Sequence, residues 1–326
     1  MMKAMICTRY GSPDVLQRRE VTKPAPGEDE ALVKIHASSI NSRDWRLMRA
    51  NPIFIRLMPG GLLRPKIRIL GADFSGVIEE VGGSLGQFKP GDEVFGYLPS
   101  STGRGALAEY VCVNAATLAL KPANLTFEQA AAAPLAAMTA LQGLCRDGRL
   151  QSGQKVLIQG ASGGVGTYAV QIAKALGAEV TAVCSTRNVE LARSLGADEV
   201  IDYKIDDFIR KGQRYDLVLA VNGYRTMADY LGVLKPAGTL VVLGGSMRQL
   251  IQAGQAKKKT SDGEGKQVRL TELLPDPGDL SFLKGLLESG RVKPVIDSVY
   301  PLERAADAFR HYEDEHPRGK VVIRVQ

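Results

Sequence analysis

The stretch that decides the fold runs from Val156 to Asn188: VLIQGASGGVGTYAVQIAKALGAEVTAVCSTRN. It opens on an apolar burst, Val156–Gln159, of the length of one buried strand. A helical pattern follows, with Ala169, Ile172, Ala173 and Leu176 along one face. Between them sits Gly160-Ala161-Ser162-Gly163-Gly164-Val165-Gly166. A glycine run there exposes backbone N–H groups that have no intrahelical partner, at the positive end of the helix dipole. A pyrophosphate can accept those hydrogen bonds if no β-carbon blocks it. Gly160 permits the tight turn, Gly163 and Gly164 the close approach, and Gly166 the packing of helix on strand. A second burst, Glu179–Cys184, comes about twenty residues on, as a dinucleotide-binding βαβ unit requires. The bland alternative is a glycine-rich βα turn of a parallel sheet.

The end of that second burst bears on the ribose. An acid there would hydrogen-bond the 2′-hydroxyl of NAD and repel a 2′-phosphate. This chain has Ser185, Thr186 and Arg187 instead. Two hydroxyls and a guanidinium suit a phosphate dianion, which points to NADP(H). The alternative for Arg187 is a solvated side chain at the start of a helix.

At 326 residues the chain exceeds the size at which one core stops growing, so two domains are expected. A hydrophobic content of 44% and a charged content of 24% are those of a globular protein with a large core. The net charge of +7 suits an anionic cofactor or substrate, and no aromatic-rich basic segment accompanies it to indicate nucleic acid. The four cysteines, Cys7, Cys112, Cys145 and Cys184, lack the paired spacing of a zinc or redox site. The N-terminal apolar run is too short for a signal peptide. The alanine-rich segment Ala130–Leu144 is short and contains Pro134, so it reads as buried helices rather than a span. A cytoplasmic protein, with no membrane partner, is expected.

Residues 1 to about 122 read as short strands between frequent Gly and Pro: Ala31–His36, Phe74–Val81, Glu93–Tyr97 and Ala106–Val113. Thr126-Phe-Glu-Gln129 fits a capping box, and helices are expected from there through Leu144. Strand-like bursts then alternate with helices at Val156–Gln159, Glu179–Cys184, Glu199–Asp202, Asp216–Ala220 and Thr239–Gly244. That rhythm indicates a parallel sheet with crossover helices. Met247–Gln267, which contains Lys257-Lys258-Lys259, reads as a solvated loop. A strand at Val268–Leu274, a helix over Asp279–Glu288, and strands at Pro294–Tyr300 and Gly319–Val325 complete the pattern. The return to β texture predicts a helical middle inserted into a domain made from both ends.

With these residues in place, the chain resembles the zinc-free, quinone-oxidoreductase-like branch of the medium-chain dehydrogenase/reductase superfamily. The likeness runs nearly end to end. It is carried by INSRD (40–44), GADFSGV (71–77), FKPGDEV (88–94), GALAEY (105–110), Ala131–Leu141, Gly160–Lys174, LGAD (195–198) and RGKVV (318–322). The resemblance implies an α/β architecture: a doubly wound Rossmann sheet over 123–275, inserted in a GroES-like, β-rich catalytic domain of 1–122 plus 276–326. The active site would lie in the cleft between them. It further implies cofactor contacts. Thr139 would sit by the nicotinamide, and Ser162, Gly163, Gly164 and Val165 by the pyrophosphate. Ser185, Arg187 and Tyr203 would surround the adenosine phosphate. Asn222, Leu243 and Gly244 would line the far strands, and Lys320 would approach from the C-terminal segment. For Tyr203 the alternative is plain packing, and for Lys320 a surface charge on an edge strand. Relatives commonly pair through the last Rossmann strand, so a homodimer formed near Leu240–Leu243 is expected.

Zinc enzymes of the superfamily place a cysteine in the segment matching 41–44 and a His–Glu pair where this chain has Ala72-Asp73. Asn41 and Ala72 offer zinc nothing, and His36, His311 and His316 sit in unrelated contexts, so no metal is expected. Without a Lewis acid to lower an alcohol's pKa, alcohol oxidation is disfavoured. Hydride transfer to an electron-poor acceptor remains: a quinone or an α,β-unsaturated carbonyl. Asn41 is the candidate to bond cofactor or acceptor, and Asp44 to orient that segment. Asp44 could equally be a structural cap, and Asp73 a paired buried carboxylate. Trp45, Met48 and Phe54 are candidates for the pocket wall, or else core. Two further readings stay open. One is an NADPH-binding protein of vestigial activity, a sensor or RNA-associated factor, favoured only by Lys257–Lys259. The other is a zinc-free alcohol dehydrogenase.

Overall fold

The computed structural model describes residues 1–57, 61–83, 85–259 and 265–326. In chain order the N-terminal part holds β1 (Met2–Cys7), β2 (Leu16–Val21), β3 (Glu30–Ser39), α1 (Ser42–Arg49), β4 (Asp73–Val81), β5 (Glu93–Tyr97), β6 (Tyr110–Asn114) and β7 (Leu118–Leu120). Helices α2 (Phe127–Ala131) and α3 (Pro134–Gln142) follow, and a π-helical turn over 143–147 succeeds them. Next come β8 (Lys155–Gln159), α4 (Gly164–Ala175), β9 (Glu179–Cys184), α5 (Val189–Ser194), β10 (Glu199–Asp202), β11 (Tyr215–Val221), α6 (Met227–Gly232), β12 (Leu234–Leu243), α7 (Met247–Lys259) and β13 (Gln267–Leu270). The chain closes with α8 (Pro277–Glu288), β14 (Ile296–Pro301), α9 (Ala305–Asp314) and β15 (Lys320–Arg324).

These elements form two compact units. One comprises Met1–Leu135, Pro275–Glu288 and Pro294–Gln326, and the other Ala136–Leu274 and Ser289–Lys293.

The first unit is built on a sheet of order β14-β15-β3-β4-β5-β7, with β6 also paired to β3. Its β3 buries Ala31, Val33 and Ile35 with Phe74, Ile78, Val94 and Val111 in one cluster. A second cluster gathers Ile40, Met48, Leu70, Leu107, Phe309, Val321 and Ile323. The expected strand Ala106–Val113 shortens to β6. Ala106 and Leu107 bond instead to the carbonyls of Gly71 and Leu70, and Ala108 bridges Ala4. Strand β15 lies between β14 and β3 rather than at an edge, and its first residue, Lys320, is buried.

The second unit is a six-stranded, wholly parallel sheet of order β10-β9-β8-β11-β12-β13. This is the doubly wound order, in which successive strands run outward one way from β8 and then reverse to the other side at β11. Leu157, Val183, Val218, Leu240 and Val242 line its core with Phe208, Tyr215 and Tyr230. Ligands in such sheets bind beyond the carboxyl ends of the strands where the order reverses, here beside β8 and β11.

Three expectations in this unit are corrected. The segment Met247–Gln267 is not a loop: Met247–Lys259 is helical, and Leu250, Ala253 and Ala256 pack on the core. Its start is a capping box in which Ser246 and Gln249 exchange bonds of 3.3 and 3.1 Å, a pattern present in the sequence. The side chains of Lys257–Lys259, and residues 260–264, lie outside the described residues, as does the side chain of Phe54. The strand expected over Val268–Leu274 is only Gln267–Leu270. Beyond it, Gln142 takes over the backbone of Leu274, accepting from its N–H and donating to its carbonyl. Leu240–Leu243, expected at a dimer face, is interior because β13 covers the outer edge of β12. Among the described residues no helix is long and apolar enough to cross a membrane.

Candidate active site

The glycine turn connects β8 to α4. Gly160 has a left-handed backbone (φ 74°), and a Cβ there would stand 2.6 Å from the Val221 carbonyl of the neighbouring strand. A Cβ on Gly166 would meet the Gly160 carbonyl at 2.0 Å. Gly160 is therefore required by its left-handed backbone and the nearness of the β11 end, and Gly166 by the close approach of α4 to the turn. The first intrahelical bond runs from Thr167 N–H to the Gly163 carbonyl, at 2.9 Å. The N–H groups of Gly164, Val165 and Gly166 precede it, at the dipole's positive end.

Gly163 is different. A Cβ there would meet nothing closer than 3.6 Å, so the fold tolerates one. The space it would fill is the approach to the helix N-terminus.

Around this turn the strand ends bring several expected residues together. Ser185 closes β9 and is buried, while Thr186 and Arg187 beyond it are exposed. Asn222, in the left-handed region that asparagine tolerates, donates its N–H to the Leu243 carbonyl at 2.9 Å. That bond ties the end of β11 to Leu243 and Gly244 at the end of β12. Tyr203, past β10, meets Tyr224, past β11, edge to face at 5.8 Å, and both rings are substantially exposed. Arg225 lies 5.3 Å over the Tyr224 ring. Thr139 sits half-buried on α3, one turn before its end.

Asn188 was not expected. It is buried, and its amide donates to Ser162 Oγ at 2.9 Å and to Ser185 Oγ at 3.1 Å. Its Oδ1 is buried with no partner. Tyr224 was not expected either. The signal for it is an exposed aromatic just after a buried strand, but nothing in sequence joins it to Tyr203.

An orphaned buried acceptor, a Cβ-free approach at Gly163 and unpaired N–H groups at one helix end together fit a phosphate-bearing dinucleotide.

The first unit holds a separate polar cluster. Asp73, wholly buried at the start of β4, accepts through Oδ2 from Ser39 Oγ (2.8 Å), Asn41 Nδ2 (2.9 Å) and Lys320 Nζ (3.1 Å). Its Oδ1 accepts from Leu135 N–H at 2.7 Å. Lys320 Nζ also donates to Asn41 Oδ1. Asn41 is thus fixed at both ends of its amide. Lys320, expected as a cofactor contact, has its ammonium engaged with Asn41 and Asp73. Asp44 accepts from Asn41 N–H (2.9 Å) and Gly71 N–H (3.0 Å), which pins α1 to the strand approaching β4. Burial pushes its carboxyl above the usual range, against the pull of Arg43 and of those two N–H bonds.

Met48 is fully buried in the core beside this cluster, so it packs rather than lines an opening. Trp45 borders a hollow of about 560 Å³ with Arg49, Asn51, Ile53 and Glu313. Its indole N–H is buried without a partner.

The donor set does not fit zinc. At the positions matching the zinc enzymes' cysteine and His–Glu pair, the chain has the Asn41 amide, Ala72 and Asp73, with a lysine ammonium 3.1 Å from the carboxylate where a cation would stand. His36 stacks on Phe127 at 4.2 Å, and His311 bonds Asp297 at 2.6 Å. Among the described residues no group of three or more metal-binding side chains forms.

A doubly wound sheet with a glycine turn at its reversal point, in a chain whose two ends build a second, β-rich unit, defines a dinucleotide-dependent oxidoreductase. Known proteins agree. Residues 27–123 match the alcohol dehydrogenase GroES-like domain, and residues 195–323 the family described as zinc-binding dehydrogenase. The chain is 33% identical to the Bos taurus mitochondrial NAD(P)H oxidoreductase RTN4IP1, over 100% of this chain and 89% of that protein. It is 37% identical to the Solanum lycopersicum 2-methylene-furan-3-one reductase, over 99% of this chain and 79% of that protein. The solved quinone oxidoreductase of Coxiella burnetii superposes with a TM-score of 0.88 at 29% identity, covering 100% of this chain and 99% of that one. The chain belongs to the medium-chain dehydrogenase/reductase superfamily, in its quinone oxidoreductase-like branch, and is an oxidoreductase.

Proposed function

We propose that the protein is an NADPH-dependent reductase that transfers hydride, without zinc, to a quinone or an α,β-unsaturated carbonyl. The observation that carries the reading is the end of β9: two hydroxyls and a guanidinium stand where a carboxylate would select NAD. Its relatives, a quinone oxidoreductase and a furanone reductase, support the acceptor class.

When bound, the nicotinamide supplies one hydride, that is two electrons and a proton; a second proton from water completes the reduction. The chain's residues then have distinct tasks. The N–H groups of Gly164–Gly166 hold the pyrophosphate, with Ser162, Gly163 and Val165 shaping its approach. Ser185, Thr186 and Arg187 take the 2′-phosphate, and Tyr203 packs on the adenine. Asn222, Leu243 and Gly244 line the turn at the far strands, and Thr139 borders the nicotinamide. Asn41, locked by Asp73, Lys320 and the Ser39 carbonyl, spends both amide protons inside the chain and keeps one lone pair of its Oδ1 for the cofactor; Asp44 holds its segment. The cysteines Cys7, Cys112 and Cys184 are buried free thiols, which suits a reducing compartment such as the cytoplasm, and a homodimer is retained as the assembly.

The test is calorimetric titration with NADPH and NADH, followed by steady-state assays with 1,4-naphthoquinone and small enones. Tighter binding of NADPH with its consumption by at least one acceptor is expected. Tight binding with no consumption would leave the vestigial-activity reading. Stoichiometric zinc with alcohol oxidation would revive the dehydrogenase.

A further inference from the structure

We propose that Asn188 is the positioning residue of phosphate recognition: by donating to both Ser162 Oγ and Ser185 Oγ it turns the two hydroxyl protons away from itself and toward a bound phosphate. The inference rests on the NADPH reading above and adds to it a residue that touches the ligand chiefly through others.

The argument starts from what each group can do. A hydroxyl has one proton and two lone pairs, and the amide NH₂ has two protons. The Asn188 Nδ2 places one near each serine, at 2.9 and 3.1 Å, so each serine oxygen accepts and its own proton lies elsewhere. An unassisted serine rotates among several orientations, in some of which a lone pair faces the phosphate and repels it. Fixing two donors in advance removes that cost at the moment of binding. Hydrogen bonds to a charged acceptor are about twice as strong as neutral ones, so the orientation matters most for the 2′-phosphate.

Three further features favour a ligand rather than simple packing. Asn188 is 5% exposed and Ser185 8%, so water does not set the Ser185 orientation, while Ser162 is half-buried. Ser162 belongs to the glycine turn and Ser185 to the end of β9, so one amide joins the pyrophosphate side of the site to the 2′-phosphate side. The Asn188 Oδ1 is a buried acceptor without a partner, the kind of group that a ribose hydroxyl satisfies.

The experiment is calorimetric binding of NADPH, NADH, 2′,5′-ADP and 5′-AMP to the full chain, with thermal unfolding recorded for every variant. Asn188→Ala should weaken NADPH and 2′,5′-ADP about tenfold and leave NADH and 5′-AMP within about threefold. In a Ser162→Ala/Ser185→Ala background the same substitution should change no affinity by more than about twofold, because its targets are gone. Equal losses for all four ligands, or losses that add in that background, would overturn the proposal. If Asn188→Ala does not fold, Asn188→Asp keeps the shape but draws both protons inward. It should lose more affinity for the 2′-phosphate ligands than for the others, and wild-type affinity for them would overturn the idea. If the wild-type chain does not prefer 2′,5′-ADP to 5′-AMP, the NADPH reading itself fails and this inference falls with it.

Discussion

Lys320 and Asp73 meet at 3.1 Å, both buried, although 247 positions separate them in the chain. The contact joins the first residue of β15 to the first residue of β4. It also closes on Asn41, which Lys320 and Asp73 hold by opposite ends of its amide. Removing one charge from such a pair strands the other. Lys320→Met should cost about 3–5 kcal/mol of stability. The pair Asp73→Asn/Lys320→Met should recover much of it, since no bare charge remains. Urea unfolding of the four variants in the cycle measures this; strictly additive losses would contradict it.

The two kinds of glycine in the turn should separate stability from binding. Gly166→Ala forces a Cβ to 2.0 Å from the Gly160 carbonyl, so it should destabilise the second unit by about 2–4 kcal/mol. Gly163→Ala meets nothing closer than 3.6 Å and should leave stability within about 0.5 kcal/mol. It should still weaken dinucleotide binding about tenfold, equally for NADPH and NADH. Thermal unfolding and titration together check both halves.

Arg187 is exposed at the end of β9. Arg187→Ala should raise the Michaelis constant for NADPH about tenfold, or ~1.4 kcal/mol, and leave that for NADH nearly unchanged. Equal effects on the two cofactors would remove the case for 2′-phosphate selection.

Burial pushes the thiols of Cys7, Cys112 and Cys184 from 9.0 up to about 11. In the unfolded chain they ionise near 9, so between about pH 9 and about 11 the folded state binds more protons. Stability must therefore fall as pH rises through that window, and this contribution is fully present below it. Cys184→Ala should flatten the slope of the urea midpoint against pH relative to the wild type. An unchanged slope would show that this thiol is not held protonated.

Much of the second unit was legible because its strands are continuous apolar bursts. Glu179–Cys184 and Glu199–Asp202 match their apolar bursts to the residue, and in the first unit the Thr126–Gln129 capping box closes with bonds of 3.2 and 3.0 Å. Met247–Lys259 is helical because Ser246 and Gln249 cap its start, a local signal that the lysines and glycine of the same segment mask. Arg187 could be proposed from position and Tyr203 from the family resemblance, whereas Asn188 could not. In sequence it is an asparagine after a basic residue, and its partner Ser162 lies 26 positions earlier.

The sequence by itself determined the alternation of strand and helix, the glycine turn and the absence of an acid after β9, since these depend on periodicity and on residues close along the chain. Only the tertiary structure decided where Lys320 goes, which hydroxyls Asn188 orients and which strand covers β12. Hydrogen bonds and ion pairs between distant residues form where folding brings donors to acceptors within about 3 Å, and no local pattern records which of many possible partners will arrive there.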